Sequence, residues 1–140
     1  ATGLKLKFGG DIAYCIDGEE IDPTERFVYR GMMLSGVPNV AMSVGYTNSS
    51  WTLKTDLTAK YVCGLLKMMK RGGYSHVIPT PSDEMNEVPL LDFDAGYVLR
   101  ARDIMPKNGD RKPWKNNDSY TKDYASLEFK RNKYSELEFR

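Results

Sequence analysis

SWTLKTDLTAKYVCGLLKMMKR, residues 50–71, is the stretch from which the rest of the chain is read. Leu53, Leu57, Tyr61, Leu65 and Met69 recur every four residues, with Val62 and Leu66 beside them, and this spacing predicts a helix with one broad apolar face. Asp56 and Lys60 form a favourable pair four residues apart. Asn48, Ser49 and Ser50 offer N-cap side chains, Lys67, Lys70 and Arg71 suit the negative end of the helix dipole, and Gly72-Gly73 stops the helix.

Upstream the pattern is that of strands. Ile12 to Ile16, then Asp17-Gly18, then Glu19 to Ile21 predicts a hairpin, because Asp-Gly supplies the positive φ values of a two-residue type I′ turn. A second strand pair is expected over Phe27 to Leu34 and Val40 to Tyr46, joined by Ser35 to Asn39. Its strands are apolar without clean alternation, as when both faces are covered. Downstream, Pro79, Pro81 and Pro89 make 76–93 an extended connector with one short strand. Asp94 can cap a second helix, 94–105, with Tyr97, Val98, Ala101, Ile104 and Met105 inward. A polar loop over 107–117 precedes a third helix, 118–131, on which Tyr120, Tyr124 and Leu127 share a face. The tail from Asn132 is expected to be loose or a short edge strand. The expected fold is α+β in a single unit, 1–46 mainly β-hairpins followed by three helices.

Composition excludes several classes of function. With 20 basic against 19 acidic residues there is no electrostatic footprint for nucleic acid or a membrane surface. No apolar run reaches the roughly 18 residues of a membrane span, and no signal-peptide pattern opens the chain, so a soluble, cytoplasmic protein is expected. Cys15 and Cys63 sit in apolar patterns without metal-ligand spacing and read as two buried thiols, with one disulfide left open. His76 lies beside the proline-rich connector with no Cys, Ser or carboxylate motif to pair with, and reads as a solvated surface histidine. Arg111-Lys112-Pro113-Trp114-Lys115 could combine phosphate contacts with a stacking ring, but in a near-neutral chain it reads as a solvated loop anchored by one tryptophan. The pairs Met32-Met33 and Met68-Met69 read as core gap-fillers. There is no Gly-x-Gly-x-x-Gly, P-loop or His/Cys metal cluster.

Two stretches carry a resemblance. YRGMMLSGVPNVAMSVGYTNSSWTLKTDL, residues 29–57, resembles a segment of the bacterial flavin-containing monooxygenases related to Baeyer–Villiger enzymes. MPKNGDRKPW, residues 105–114, followed by YTKDY, residues 120–124, resembles the C-terminal end of the same enzymes. Ala1-Thr2-Gly3 matches the triplet with which their chain passes from the NADPH domain back into the FAD domain. With no initiating methionine and an alternating Leu4 to Phe8, we expect a chain beginning in mid-strand, whether truncated, proteolysed or processed.

The resemblance implies the C-terminal part of a two-dinucleotide-domain FAD/NAD(P)-binding flavoprotein. In that family NADPH reduces FAD, and the reduced flavin with oxygen oxygenates a ketone or a soft N/S nucleophile. The dinucleotide fingerprints and the family's histidine-containing motif are missing here, so the piece alone is expected to be inactive and to bind neither FAD nor NADPH stably. Its expected partners are the N-terminal FAD and NADPH domains of a parent chain and a small-molecule substrate, with self-association of the piece through bared apolar surface. By resemblance, Gly45, Tyr46, Thr47, Asn48, Ser49, Ser50 and Trp51 lie nearest the flavin. A helix starting there aims backbone N–H groups at the negative charge of reduced flavin. A stand-alone, non-catalytic binding or assembly module is the alternative.

Overall fold

Helix α1 runs from Trp51 to Gly72, with Ser50 as N-cap and Gly73 as a left-handed C-cap whose N–H returns to the Met69 carbonyl. The face it buries differs from the one the four-residue spacing suggests. Lys54, Leu57, Thr58, Tyr61, Leu65 and Met69 are buried, whereas Leu53 and Leu66 are 39 % and 57 % exposed. Each four-residue step overshoots a full turn by about 40°, so a ladder of five such residues winds roughly 160° around the helix. The stripe that packs is narrower, and its N-terminal end is carried by Lys54 and Thr58. Asp56 and Lys60 pair at 2.8 Å on the exposed side.

The computed structural model describes residues 5–10, 12–47, 49–91, 96–128 and 134–140. Ala1-Thr2-Gly3, Asp94 and the end of the third expected helix lie outside these. Residues 5–8 form no strand; a 3-10 turn spans Phe8–Gly10. Strands β1 (Tyr14–Ile16) and β2 (Glu19–Ile21) form the expected hairpin, with Asp17 at φ 52° and Gly18 at φ 89°.

The second strand pair is corrected. Its hairpin closes inside the first expected strand, where β3 (Val28–Tyr29) pairs with β4 (Met33–Leu34) around Arg30 and Gly31, both at positive φ. Residues 40–46 run alongside without forming a strand, and Met42 donates its N–H to the Met32 carbonyl at 2.7 Å. The connector holds two short strands rather than one. β5 (Val77–Pro79) pairs with the tail strand β8 (Leu137–Phe139), and β6 (Glu87–Pro89) pairs with β7 (Lys107–Gly109) inside the expected polar loop. All four strand pairs are antiparallel and two-stranded.

Among the described residues the second helix covers α2 (Gly96–Leu99), and beyond Leu99 it gives way to a 3-10 turn at Arg102–Ile104. Val98 and Ala101 are buried as expected, but Ile104 is 45 % exposed. Helix α3 spans Tyr120–Glu128, burying Asp123, Ser126 and Leu127 while Tyr124 stays largely exposed. The main core joins Tyr29, Met32 and Met33 to Leu57, Tyr61, Leu65 and Met69 of α1, with Trp114 and Leu127; a smaller cluster gathers Val28, Leu34, Val37 and Leu90. Both cysteines are free, and both are exposed rather than buried. Cys15 takes the outward position between half-buried Tyr14 and Ile16, and Cys63 lies off the stripe that α1 buries.

The basic loop is a structural corner. Trp114 is fully buried and donates its indole N–H to Glu136 at 2.5 Å, and Arg111 binds the same carboxylate at 2.6 Å. Its tryptophan is thereby unavailable for stacking on a base. His76 is exposed and shares a 2.7 Å hydrogen bond with Ser75.

Candidate functional site

Residues 45–51 carry the chain from the extended segment into α1, beside the largest open cleft found among the described residues, about 610 Å³. Its walls are mainly apolar: Leu6, Phe8, Met42, Val44, Leu90, Leu91, Val98 and Met105, with Tyr97 and Lys7. Of the seven expected site residues, Gly45, Tyr46, Thr47 and Trp51 line it. Ser49 and Ser50 are exposed at the helix start and do not line it. Asn48 lies outside the described residues.

Gly45 is needed for packing. A Cβ there would run into the Trp51 indole, so only glycine lets that ring lie against the backbone. Trp51 is nevertheless 63 % exposed. Tyr46 is buried and turns its hydroxyl away from the cleft, donating to Asp123 Oδ2 at 3.0 Å. Burial first, and the Asp123 charge second, push this phenol well above its ordinary pKa, so it stays protonated. Thr47 donates its N–H to Asp118 at 3.0 Å and its hydroxyl to the other oxygen of the same carboxylate.

Among the described residues, the N-cap Ser50 makes no side-chain cap hydrogen bond to α1, and its hydroxyl pairs with Thr52 at 2.7 Å. The N–H groups of a first turn have no carbonyl one turn earlier to bind, so they point ahead of the helix. Leu53 N–H turns back to the Ser50 carbonyl at 3.2 Å.

Three functional neighbours escape the sequence reading: Lys54, Asp118 and Asp123. Lys54 and Asp123 form a buried ion pair at 2.5 Å, and the Lys54 ammonium lies 5.5 Å from the centre of the Tyr46 ring. A signal for the pair exists. Lys54 falls three and four residues before Leu57 and Thr58, and Asp123 four before Leu127, so each charge sits in register with the stripe its helix buries.

A flat, partly anionic ring system suits this donor set. The walls are mainly apolar, and the first-turn N–H groups of α1 begin at Trp51, which lines the same cleft. The chain holds no glycine-rich phosphate loop, so its residues fit the ring end of a flavin and not the phosphate end.

Gly45, Tyr46, Thr47 and Trp51 thus place the approach to α1 beside a mainly apolar cleft. The chain is 48 % identical over 124 residues to the FAD-containing monooxygenase EthA of Mycobacterium tuberculosis, and 42 % identical over 130 residues to the enzyme of that name from Mycolicibacterium smegmatis. It is also 42 % identical over 129 residues to "Probable FAD-binding monooxygenase AlmA" of Acinetobacter baylyi. These matches cover 88 %, 92 % and 91 % of the chain but 25 %, 26 % and 26 % of the relatives, so the chain spans about a quarter of their length. By this similarity it is a relative of the FAD-containing monooxygenases and corresponds to a C-terminal part of such a protein. No family model matches the sequence, and no solved structure matches it.

Proposed function

We propose that this chain is the last FAD-facing segment of an FAD- and NADPH-dependent monooxygenase that inserts one oxygen atom from O2 into a ketone or a nitrogen or sulfur nucleophile. The observation that carries the reading is the coincidence of two facts. The matched relatives are named for FAD, and four residues of the stretch expected to face it, Gly45, Tyr46, Thr47 and Trp51, line the open apolar cleft. Bound flavin would supply the redox chemistry. The chain's part is to seat one side of the ring on Gly45, Thr47 and Trp51 and to set donors at the helix start against its negative edge. Without a phosphate cradle the segment is inactive alone and acts in a parent carrying the FAD and NADPH domains. The rival reading, a stand-alone assembly module, draws on the absence of that cradle and on the chain's own core around Tyr29, Tyr61 and Trp114.

Ser50→Pro in the full-length monooxygenase tests the site. Ser50 sits at φ −60°, where a proline ring would hold it, so the fold should survive while one N–H at the helix start is lost. A hydrogen bond to a charged acceptor is worth about 1.5–3 kcal/mol, or roughly 10- to 150-fold. The expected result is a lower flavin reduction potential and slower reduction by NADPH. An unchanged potential and rate in both Ser50→Pro and Ser49→Pro would make this helix start a plain cap.

A further inference from the structure

Acids from far along the chain hold the turn beside the cleft. Asp118 takes both the N–H and the hydroxyl of Thr47, and Asp123 takes both the Tyr46 hydroxyl and the Lys54 ammonium. Both acids come from the start of α3 and the residues just before it, about seventy residues further along the chain. Asp123 is itself anchored. Asn117 donates to Asp123 Oδ1 at 3.3 Å, the Asp123 N–H reaches the Ser119 carbonyl at 3.0 Å, and the Ser126 hydroxyl donates to the Asp123 carbonyl at 3.1 Å. Lys54 also reaches the Arg30 carbonyl at 3.5 Å. The turn before α1 and the first turn of α1 are therefore both fastened to one short segment.

The two fastenings differ in what they can contribute. Lys54 and Asp123 are buried, so each needs the other and the pair is part of the core. Thr47 and Asp118 are both exposed, where a polar contact adds little to stability. A doubled hydrogen bond in that setting fixes direction: it orients the Thr47 peptide at the mouth of the cleft. Donors stabilise charge on a bound group only when they are held in place beforehand.

We propose that Asp118 and Asp123 are positioning residues for the flavin-facing turn, clamping Thr47, Tyr46 and the first turn of α1 so that the 118–123 segment sets how that turn meets the ring. This rests on the flavin reading above. The clamp acts through position alone and transfers no proton, since Tyr46 is held protonated and Asp118 already accepts two hydrogen bonds.

The test is made in the full-length FAD-loaded monooxygenase carrying this segment. Asp118→Ala is expected to leave the melting temperature unchanged, raise hydrogen exchange at the Thr47 amide and lower the flavin reduction potential. Reduction by NADPH should slow about three- to tenfold, the effect of losing one ordinary hydrogen bond. Asp118→Asn should restore both readouts, because its amide offers an oxygen to the Thr47 N–H and an N–H to the Thr47 hydroxyl. Asp123→Asn should move the potential in the same direction, and a loss of folding there leaves the decision with Asp118. If Ser50→Pro lowers the potential and Asp118→Ala does not, the clamp is overturned and the flavin reading stands. If Asp118→Ala, Ser50→Pro and Ser49→Pro all leave it unchanged, both fall. Unchanged Thr47 exchange in Asp118→Ala would also overturn the clamp.

Discussion

Two neighbouring apolar stretches meet opposite fates. Residues 28–34 close on themselves, so that Val28, Tyr29, Met32, Met33 and Leu34 are all but completely buried. Residues 40–46 form no strand; Val40, Met42 and Val44 remain half-buried, and Met42 and Val44 line the open cleft. Hydrophobicity does not separate them. The first stretch has a turn at Arg30-Gly31, a ladder between β3 and β4, and a tie from Arg30 N–H to the Pro113 carbonyl at 2.9 Å. The second forms no strand, and its described hydrogen bonds include Met42 N–H to Met32 and Ser43 to Thr55 at 3.2 Å. Where local turn chemistry supplies a partner strand, an apolar run becomes core. Without one it becomes the wall of a cleft.

The sharpest way to break this contrast is truncation on both sides of it. Leu57→Ala removes a fully buried side chain from the core that backs residues 29–33 and should cost about 2–5 kcal/mol. Val44→Ala in the half-buried segment should cost less than about 1 kcal/mol, and Leu53→Ala on the exposed edge of α1 about 0.5 kcal/mol or less. Urea denaturation of the three variants decides it. Equal losses at Leu57 and Val44 would mean that the open segment is as structural as the core.

That contrast also marks what was legible in the sequence. The Asp17-Gly18 hairpin and the helix from Trp51 to its stop at Gly72-Gly73 follow from local signals, turn residues and helix-end residues, while the tail was left open between a loose end and the edge strand that forms at 137–139. The β3–β4 hairpin was not legible, because it turns on Arg30, a residue with no preference for positive φ. The expected helix ends early, at Leu99, because its second half rested on apolar spacing alone, and the chain there tightens into a 3-10 turn. At the site, the cleft-facing residues were legible through a resemblance over 29–57. The charges that hold them were hidden, since Asp118 and Asp123 lie some seventy residues from Thr47 and Tyr46 and only the fold brings them together.

A second way to sharpen the contrast uses the 140-residue chain by itself. The 40–46 face and its cleft offer apolar surface and an extended backbone, which a second copy can cover. We expect self-association by light scattering, reduced by Val44→Asp while circular dichroism stays unchanged. The same preparation should bind FAD weakly or not at all. A strict monomer at high concentration would count against the exposed face, and a yellow, stoichiometrically loaded preparation would count against the missing phosphate cradle.

The last prediction concerns the corner that Arg111, Trp114 and Glu136 form. Burial alone would raise the pKa of Glu136, but hydrogen bonds from Arg111, Trp114 and the Ser82 N–H outweigh it and hold the carboxyl below its ordinary range. A carboxyl whose folded pKa is depressed stabilises the fold above its unfolded value, about 4.3, and loses that contribution as pH falls through the folded value. Glu136→Gln should therefore lower stability at neutral pH, by about 1 kcal/mol given that Arg111 is partly solvated. The gap between the parent chain and the variant should be flat above about pH 5.5 and close as the pH drops below about 4. Denaturation midpoints measured across pH 3 to 7 on both proteins test this. A gap that widens toward low pH would reverse the sign and mean that Glu136 is protonated in the folded chain.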